Sequence, residues 1–367
     1  MMDKTFYITV FGDICPMYGK IPVSFPFLDD EYVVGNLECV LTDDPRPVRK
    51  AGPVLYAPQS AACELRALGF SALSLANNHI RDCGEAGVKT TLAACRQSGI
   101  WTFGAGTTDD AATPLVVEQN GIRVALLSFA EKEFNYAHAG KAGAHAFDPY
   151  GSFGEIASLR KEVDALIVLY HGGIEHYIYP SPLLRKKCRM MVDAGADVVL
   201  CQHSHCIGTR ERYRSSEILY GQGNSVFGYR SGKDGWNQGL VARITVTPQT
   251  VQVRYDVLET GTDGVVGLAP EETARIILDR LESASSKLSD EAFLEEQWKA
   301  FCLKNEASYL AMLLGFSKNG TRLNRLSRNG LVKAFYNRRQ LNVAHNIIRC
   351  EAHAEVLDTI LQEYDYE

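Results

Sequence analysis

Short apolar runs alternate with helical stretches between residue 5 and about residue 205. Five of these runs are each followed directly by a polar cluster. The runs, among them TFYITVF, SALSLA and ALIVLY, have the length and composition of buried β-strands. Residues 58–68, 84–98 and 182–194 have helical spacing. This alternation predicts an α/β fold in which crossover helices connect the strands. The clusters that follow the runs are Gly12-Asp13, Gly35-Asn36-Leu37-Glu38, Asn77-Asn78-His79, His171 and His203-Ser204-His205.

Ligands of α/β proteins bind outside the carboxyl ends of the strands, so these clusters would share one edge of the fold. They would bring together carboxylate oxygens, amide oxygens and imidazole nitrogens, a set of donors that suits Mn, Fe or Zn. Two such cations a few Å apart would activate a water molecule and stabilise an oxyanion. The clusters therefore predict a site for two divalent metal ions.

Each cluster, taken alone, also fits a purely structural role. His203 and His205 could be hydrogen-bonded loop histidines, although both can turn toward one pocket if the chain leaves β geometry after the strand. Asp82 could cap the helix that follows the Asn-rich turn. Asp13 could cap a turn, and Glu38 could be a surface carboxylate. The recurrence of such clusters at successive strand ends is what favours the metal site.

The segment after His171 is a candidate for contact with a substrate. Gly172 and Gly173 allow another group to approach the backbone closely there. Glu175 and His176 follow directly. We therefore expect these two side chains to contact the substrate or the residues that hold the metals.

Composition narrows the class of protein. The net charge of −6 argues against a general nucleic-acid binder, which would carry a basic balance. No apolar run approaches the ~20 residues that a membrane span requires, and the first residues lack the pattern of a signal peptide. The ten cysteines form no CxxC pair and are typical of reduced thiols. These features favour a cytoplasmic protein.

The character of the chain changes beyond residue 217. Residues 217–258 alternate with period two and predict an antiparallel stretch, and a Gly-rich link then ends at Pro270. We therefore expect one domain over 1–264 and a helical appendage over 265–367.

Charges in this appendage are segregated, since 318–349 holds basic residues without acids and 351–367 holds acids without Lys or Arg. The two segments could pair as solvated faces. Alternatively, 318–349 could dock on an anionic membrane surface or a synthesis complex, with Phe335 and Tyr336 beside the charge.

Taken in order, the motifs resemble those of the poly-γ-glutamate capsule-synthesis (CapA-type) family, which belongs to the calcineurin-like metallophosphatase superfamily. The resemblance covers roughly residues 5–245 and excludes the helical appendage. It implies a four-layer α/β/β/α metallophosphatase-like sandwich with a dinuclear metal centre. The matching segments are residues 12–13, 36–38, 76–79, 82–84, 171–175, 195–205 and 220–227.

The resemblance also implies a role for each site residue. Glu38 would bridge the two metal ions, and His79 would stabilise the transition state. The metal ligands would be Asp13, Glu38 and His205 for one ion, and Glu38, Asn78, His171 and His203 for the other. The residues expected to support these ligands or to contact substrate are Asn36, Asn77, Asp82, Glu175, His176 and Asn224.

Three positions depart from the pattern that the resemblance sets. Cys15 stands where the superfamily has a histidine, which leaves the first metal with fewer ligands unless Cys15 serves as a thiolate. Ser204 replaces a proline, and Gly172 replaces an aromatic residue. The last two departures affect the expected geometry of the substrate more than metal binding.

These observations predict a metal-dependent hydrolase that acts on a phosphoester or an amide, with an anionic small molecule or polymer as substrate, in the synthesis of a capsule or other surface polymer. Two alternatives remain open. The same centre could polarise a carbonyl while a side chain abstracts a proton, which would make the protein an isomerase. Alternatively, the fold could be a non-catalytic scaffold that docks through residues 265–367.

Overall fold

Two β-sheets packed face to face form the centre of the unit that spans Met1–Ser289. The structure is a computed structural model that describes residues 4–362 except 18–20, 22, 27–29, 51, 139, 314, 316–321, 325, 328–329 and 336. The strands, in chain order, are β1 (Phe6–Ile14), β2 (Val23–Ser24), β3 (Tyr32–Leu37), β4 (Val40–Leu41), β5 (Tyr56–Ala57), β6 (Phe70–Ser74), β7 (Trp101–Phe103), β8 (Ala105–Gly106), β9 (Leu115–Gln119), β10 (Ile122–Ala130), β11 (Gly143–Ala144), β12 (Ala165–His171), β13 (Val198–Gln202), β14 (Arg210–Tyr213), β15 (Ser216–Leu219), β16 (Asn224–Val226), β17 (Gln238–Val246), β18 (Val251–Thr260) and β19 (Val266–Leu268). The helices of this unit are α1 (Ser60–Ala67), α2 (Gly84–Gln97), α3 (Thr108–Ala112), α4 (Ser152–Leu159), α5 (Pro182–Asp193) and α6 (Glu271–Ser285).

Parallel strands dominate the middle of both sheets. The first sheet runs in the order β2-β19-β18-β17-β1-β3-β6-β7, with β16 paired to the end of β1. Within it, β1, β3, β6 and β7 are parallel to one another, and β17 and β18 form an antiparallel pair beside them. The second sheet runs β14-β15-β13-β12-β10-β9, and its four central strands are parallel. Consequently, each sheet gathers several carboxyl strand ends at one edge.

Side chains that alternate along the strands build two separate cores. Phe6, Ile8 and Val10 of β1 pack with Ile167 and Leu169 of β12 between the sheets. Because successive strand residues point to opposite faces, the intervening side chains are free to pack against helices.

Helices cover the outer face of each sheet. Leu65 of α1 and Val88 of α2 pack with Leu73 of β6 on the first sheet. On the second sheet, the Cys188 Sγ of α5 lies 3.5 Å from the Cys201 Sγ of β13. The layers are therefore helix, sheet, sheet and helix, which confirms the predicted α/β/β/α sandwich.

Local turn chemistry agrees with the sequence at the β9–β10 hairpin. Asn120 and Gly121 connect the strands with φ values of 55° and 72°. A two-residue hairpin turn with both φ values positive matches the right-handed twist of the strands, and Asn-Gly accepts that geometry at little cost.

The segment expected to begin the antiparallel stretch near residue 217 is β15. It is antiparallel to β14, as expected, but its other neighbour in the second sheet is β13, to which it is parallel. The first compact unit extends to Ser289 and includes α6. Ile277 and Leu281 of α6 explain this, since both are buried in the core between the sheets.

The second unit, Asp290–Glu367, consists of helices in its described part. They are α7 (Glu291–Leu313), α8 (Gly330–Phe335), α9 (Arg338–Arg349) and α10 (Glu351–Gln362). The basic residues of α9 and the acidic residues of α10 lie on neighbouring helices that contact each other. The side chain of Phe335 and all of Tyr336, expected beside the basic charge, lie outside what the structure describes. None of the helices in the described ranges combines the length and the apolar character that crossing a bilayer requires.

Candidate metal centre

Strand ends of both sheets bring five potential metal ligands together. Asp13 lies at the end of β1, Glu38 follows β3, His171 ends β12, and His203 and His205 follow β13. In one group, ligand atoms of Glu38, His171 and His203 all lie within 4.8 Å of one another. In a second group, Asp13, Glu38 and His205 meet the same limit. Glu38 belongs to both groups.

Glu38 is the most unusual member of this cluster. It is fully buried, and neither carboxylate oxygen has a hydrogen-bond partner among the described residues. Instead, three imidazoles surround Glu38 Oε1, with the Nε2 atoms of His171, His205 and His79 at 3.4, 3.8 and 3.9 Å. Burial and the neighbouring Asp13 carboxylate raise the pKa of Glu38 well above its usual range. A carboxylate without partners is costly to bury, and cations beside it would offset that cost.

Asp13 is held rigidly in place. Its Oδ1 accepts a hydrogen bond from Asn36 Nδ2 at 2.8 Å, and its Oδ2 accepts one from the backbone N–H of His203 at 3.0 Å. The pairing of Asp13 with Asn36 across β1 and β3 sets this geometry. The same Asn36 Nδ2 lies 3.2 Å from His171 Nδ1, so one amide orients a carboxylate and an imidazole of the cluster.

His203 and His205 lie where the chain leaves β geometry. Their φ values are 87° and 49°, in the left-handed region that non-glycine residues seldom occupy. This departure from extended backbone lets both imidazoles enter one site. Buried His203 Nδ1 has no hydrogen-bond partner among the described residues. Burial, with the nearby His171 and His205, lowers the pKa of His203 well below its usual range, so the ring is neutral and able to bind a metal.

The tautomer of His205 is fixed by its partner. Its Nδ1 lies 2.9 Å from Asn224 Oδ1, and Asn224 Nδ2 donates to the Trp236 carbonyl at 2.9 Å, which fixes the orientation of the amide. His205 Nδ1 therefore carries the proton, and the lone pair of Nε2 faces Glu38. Although burial lowers the pKa of His205, the Glu38 and Asp13 carboxylates raise it further, so the net shift is upward. The ring packs between Phe227 and Trp236, at centroid distances of 4.8 and 4.9 Å.

The turn after β6 places an amide oxygen, that of Asn78, beside the cluster. Asn78 Oδ1 lies 3.0 Å from His171 Nε2. Asn77 Nδ2 donates to the Leu37 carbonyl at 2.7 Å, and Asn77 Oδ1 accepts from the backbone N–H of His79 at 3.1 Å. Asn77 therefore fastens this turn to the end of β3 and positions its neighbours. Burial lowers the pKa of His171 to about 4, so this ring is also neutral near pH 7.

His79 lies beside the cluster and belongs to neither group of potential ligands. Its Nδ1 lies 2.6 Å from Asp82 Oδ2, and its Nε2 points toward Glu38. Burial lowers the pKa of His79, although Asp82 acts in the opposite direction. Asp82 is therefore a partner of His79, and it is not the cap of α2, whose N-cap residue is Cys83.

Two residues expected to contact the substrate or the ligands lie at the rim of the cluster. Glu175 and His176 are both exposed. The backbone N–H of His176 donates to the Ser204 carbonyl at 2.8 Å, and its ring centroid lies 6.4 Å from that of His205. This location is compatible with contact to a substrate. A steric constraint explains the glycine at position 172, because a Cβ added there would lie 2.5 Å from Glu131 Cγ.

Cys15 does not join either group of potential ligands among the described residues. Burial, together with a hydrogen bond to Cys39, raises the pKa of its thiol well above the usual range. A protonated thiol is a poor metal ligand. The first group of potential ligands therefore consists of Asp13, Glu38 and His205, the residues that the family resemblance implied, with Asn224 as the partner of His205.

Sequence reasoning missed two residues of this region. Trp236 packs on His205, and Lys50 contacts both Asp82 and His79. Lys50 lies in the polar segment PRPVRKAGP, where nothing distinguishes it from a solvated loop residue. Trp236 lies outside every motif, and no sequence signal connects it with His205.

Comparison with known proteins places the chain in a family. Residues 22–229 match the family described as "Bacterial capsule synthesis protein PGA_cap", and the chain belongs to this family. The "Capsule biosynthesis protein CapA" of Bacillus anthracis is 31% identical over 248 residues, which cover 65% of this chain and 57% of that protein. The "PGA biosynthesis protein CapA" of Bacillus subtilis (strain 168) is 29% identical over 241 residues, 64% of this chain and 60% of that protein. The chain thus spans less than two thirds of the length of either relative.

A hypothetical protein from Thermus thermophilus, solved by crystallography, aligns with a TM-score of 0.42 and 14% identity over 69% of this chain and 99% of that one.

Proposed function

We propose that the protein is a metal-dependent hydrolase that cleaves a phosphoester or an amide during synthesis of a capsule or another surface polymer. The observation that carries the chemical part is Glu38, a fully buried carboxylate without hydrogen-bond partners among the described residues, shared by two groups of ligands. The biological part is supported by the relatives in the two Bacillus species, whose names refer to capsule and PGA biosynthesis.

The residues of the cluster fit two divalent cations such as Mn, Fe or Zn. Asp13, Glu38 and His205 would hold one ion. Glu38, His171 and His203 would hold the other, joined by Asn78, whose amide oxygen lies beside His171. Such a pair of ions supplies an activated water and positive charge opposite a developing oxyanion.

The protein's own side chains would transfer the proton and contact the substrate. Asp82 accepts the Nδ1–H of His79, so His79 Nε2 is left facing the cluster near Glu38. From there, the imidazole can take up a proton during attack and return it to the leaving group. Burial of the ligands excludes bulk water, which strengthens each electrostatic interaction in the site. Glu175 and His176 at the rim would contact the part of an anionic substrate that lies outside the cluster.

Isotope labelling tests this proposal against an isomerase. The metal-loaded protein is incubated with phosphodiesters and with γ-glutamyl amides in ¹⁸O-labelled water, and the products are analysed by mass spectrometry. We expect cleavage with one labelled oxygen in the product. Deuterium exchange without cleavage, in a parallel reaction in D₂O, would support an isomerase instead. A protein that binds metal in full and changes neither class of compound would contradict the hydrolase and favour a scaffold.

A further inference from the structure

A lysine is buried directly behind the candidate metal centre. The Lys50 side chain is 1% exposed, and its partner Asp82 is fully buried. Lysine is seldom buried to this extent, because removing an ammonium group from water costs free energy unless other groups compensate. Lys50 lies in the loop that connects β4 with β5, and no part of the metal cluster belongs to that loop.

The ammonium group of Lys50 contacts both members of the pair behind the cluster. Its Nζ donates to Asp82 Oδ1 and lies 3.2 Å from His79 Nδ1. It also lies 4.6 Å from the ring centroid of Phe134, in a cation–π arrangement. Burial lowers the pKa of Lys50, although the attraction of Asp82 opposes this shift.

Each oxygen of Asp82 has a separate task. Oδ1 accepts from Lys50, whereas Oδ2 lies 2.6 Å from His79 Nδ1 and accepts from the Leu55 backbone N–H at 2.6 Å. The Asp82 carbonyl accepts a hydrogen bond from the Val48 N–H at 3.0 Å. The loop around Lys50 is therefore wrapped about Asp82, and Lys50 holds the oxygen that the backbone leaves available.

We propose that Lys50 is a positioning residue for His79: by binding Asp82 Oδ1 it keeps Oδ2 aligned with His79 Nδ1, so that Nε2 stays directed at the metal cluster. Without Lys50, the carboxylate loses one of its holds and can rotate, and the imidazole rotates with it. The catalytic importance of this alignment rests on the proposed hydrolase function, whereas the alignment itself does not.

If Lys50 had only a structural role, it would anchor its loop to Asp82 without contact to His79. The position of Nζ argues against a purely structural role, because Nζ also lies within hydrogen-bond distance of His79 Nδ1. Because Nζ only donates, it does not bond to a protonated Nδ1, so the Nδ1 proton points to Asp82 Oδ2 and Nζ lies beside that pair. Lys50 therefore lies against both members of the Asp82–His79 pair, and it acts on the direction of His79 through Asp82 Oδ1.

Nitrogen NMR of histidine-labelled, metal-free protein tests the alignment without any assay of activity. In the natural chain, at one fixed pH near 7, we expect His79 to show a single tautomer with the proton on Nδ1. Lys50→Met should replace this signal with a mixture of tautomers or with exchange broadening, and Lys50→Arg, which keeps a cation, should restore it at least in part. Lys89→Met is the matched control, since Lys89 pairs with Glu85 on the surface of α2 and its side chain is 65% exposed.

Kinetics of the metal-loaded protein give the second readout. Lys50→Met should lower kcat by roughly tenfold to a hundredfold with little change in KM or metal content, because a general acid–base group contributes roughly 10²–10⁴-fold and a misaligned one loses part of that. If Lys50→Met does not fold, Lys50→Gln keeps a neutral hydrogen-bond donor beside Asp82 Oδ1, and smaller losses of the same two kinds are expected of it. An unchanged His79 signal in the folded variant would overturn the proposal. Absence of hydrolysis in the natural chain would refute the proposed function, while the NMR result would still decide the role of Lys50.

Discussion

The strand-end edge of the first unit and the helices of the second unit use their side chains in opposite ways. At the edge, polar groups such as Asp13, Glu38 and Asn77 are completely buried. In the second unit, large apolar groups such as Leu303 and Ile348, both 63% exposed, face outward. A buried polar group without partners identifies the chemistry of what it binds, since only a ligand of opposite character offsets its burial. An exposed apolar side chain gives no such information. The proposed chemistry therefore depends on the buried residues at the strand-end edge and not on the helices of the second unit.

Replacing Glu38 should have the largest effect. Glu38→Gln keeps the size of the side chain and removes the charge that both ligand groups share. We expect the metal content to fall from about two ions per chain to nearly none, and kcat/KM to fall at least roughly 100-fold. Elemental analysis and steady-state kinetics check this, with Glu85→Gln on the surface of α2 as the control. Full retention of metal by Glu38→Gln would show that the carboxylate does not bridge the ions.

Replacing His203 should affect one ion only. This residue belongs to the group of Glu38 and His171, and not to the group of Asp13 and His205. His203→Ala should therefore reduce the metal content from about two ions to about one. Mass spectrometry under native conditions separates chains with one ion from mixtures of empty and fully loaded chains. Loss of both ions in the same step would mean that the two positions bind only together.

A matched pair of isoleucines compares the two regions in stability. Ile167→Ala removes a fully buried side chain between the sheets, and should lower the free energy of unfolding by about 2–5 kcal/mol. Ile348→Ala shortens a side chain that is 63% exposed in the second unit, and this substitution should change the free energy of unfolding by less than about 0.5 kcal/mol. Urea denaturation measures both. Equal losses would indicate that Ile348 is buried in solution.

Acidity should have the smallest and most gradual effect. The pKa of Glu38 is raised by burial and by Asp13, so Glu38 keeps its proton to a higher pH than an ordinary carboxyl group. A metal ion binds the carboxylate form, and binding must displace that proton. Metal affinity should therefore rise with pH by at most about tenfold per unit while Glu38 is protonated, and then level off. Calorimetry in buffers of different ionisation enthalpy counts the released protons. Affinity that is independent of pH, without proton release, would contradict the role of Glu38.

The sequence predicted which side chains meet at this edge, because their meeting depends on residue type and on position at a strand end. Asp13, Glu38, His171, His203 and His205 were all named before their contacts were known, and the fold brings them together. The placement of Glu175 and His176 at the rim did not follow from their motif. Loop conformation decides it, since the hydrogen bond from His176 to Ser204 connects two distant segments.

Packing between distant segments also explains what the sequence did not reveal. Lys50 resembles a solvated loop residue until the loop wraps around Asp82. The place of α6 in the first unit depends on Ile277 and Leu281, whose helical spacing is the same whether a helix packs on a sheet or on other helices. Local patterns determine which faces are apolar, and only the assembled fold determines what covers them.

Anomalous X-ray diffraction from crystals loaded with Mn tests the central claim most directly. The account predicts two peaks a few Å apart, one beside Asp13 and His205, the other beside His171 and His203, with Glu38 in contact with both. A single peak that does not touch Glu38, or no peak at this edge after loading, would contradict the dinuclear centre.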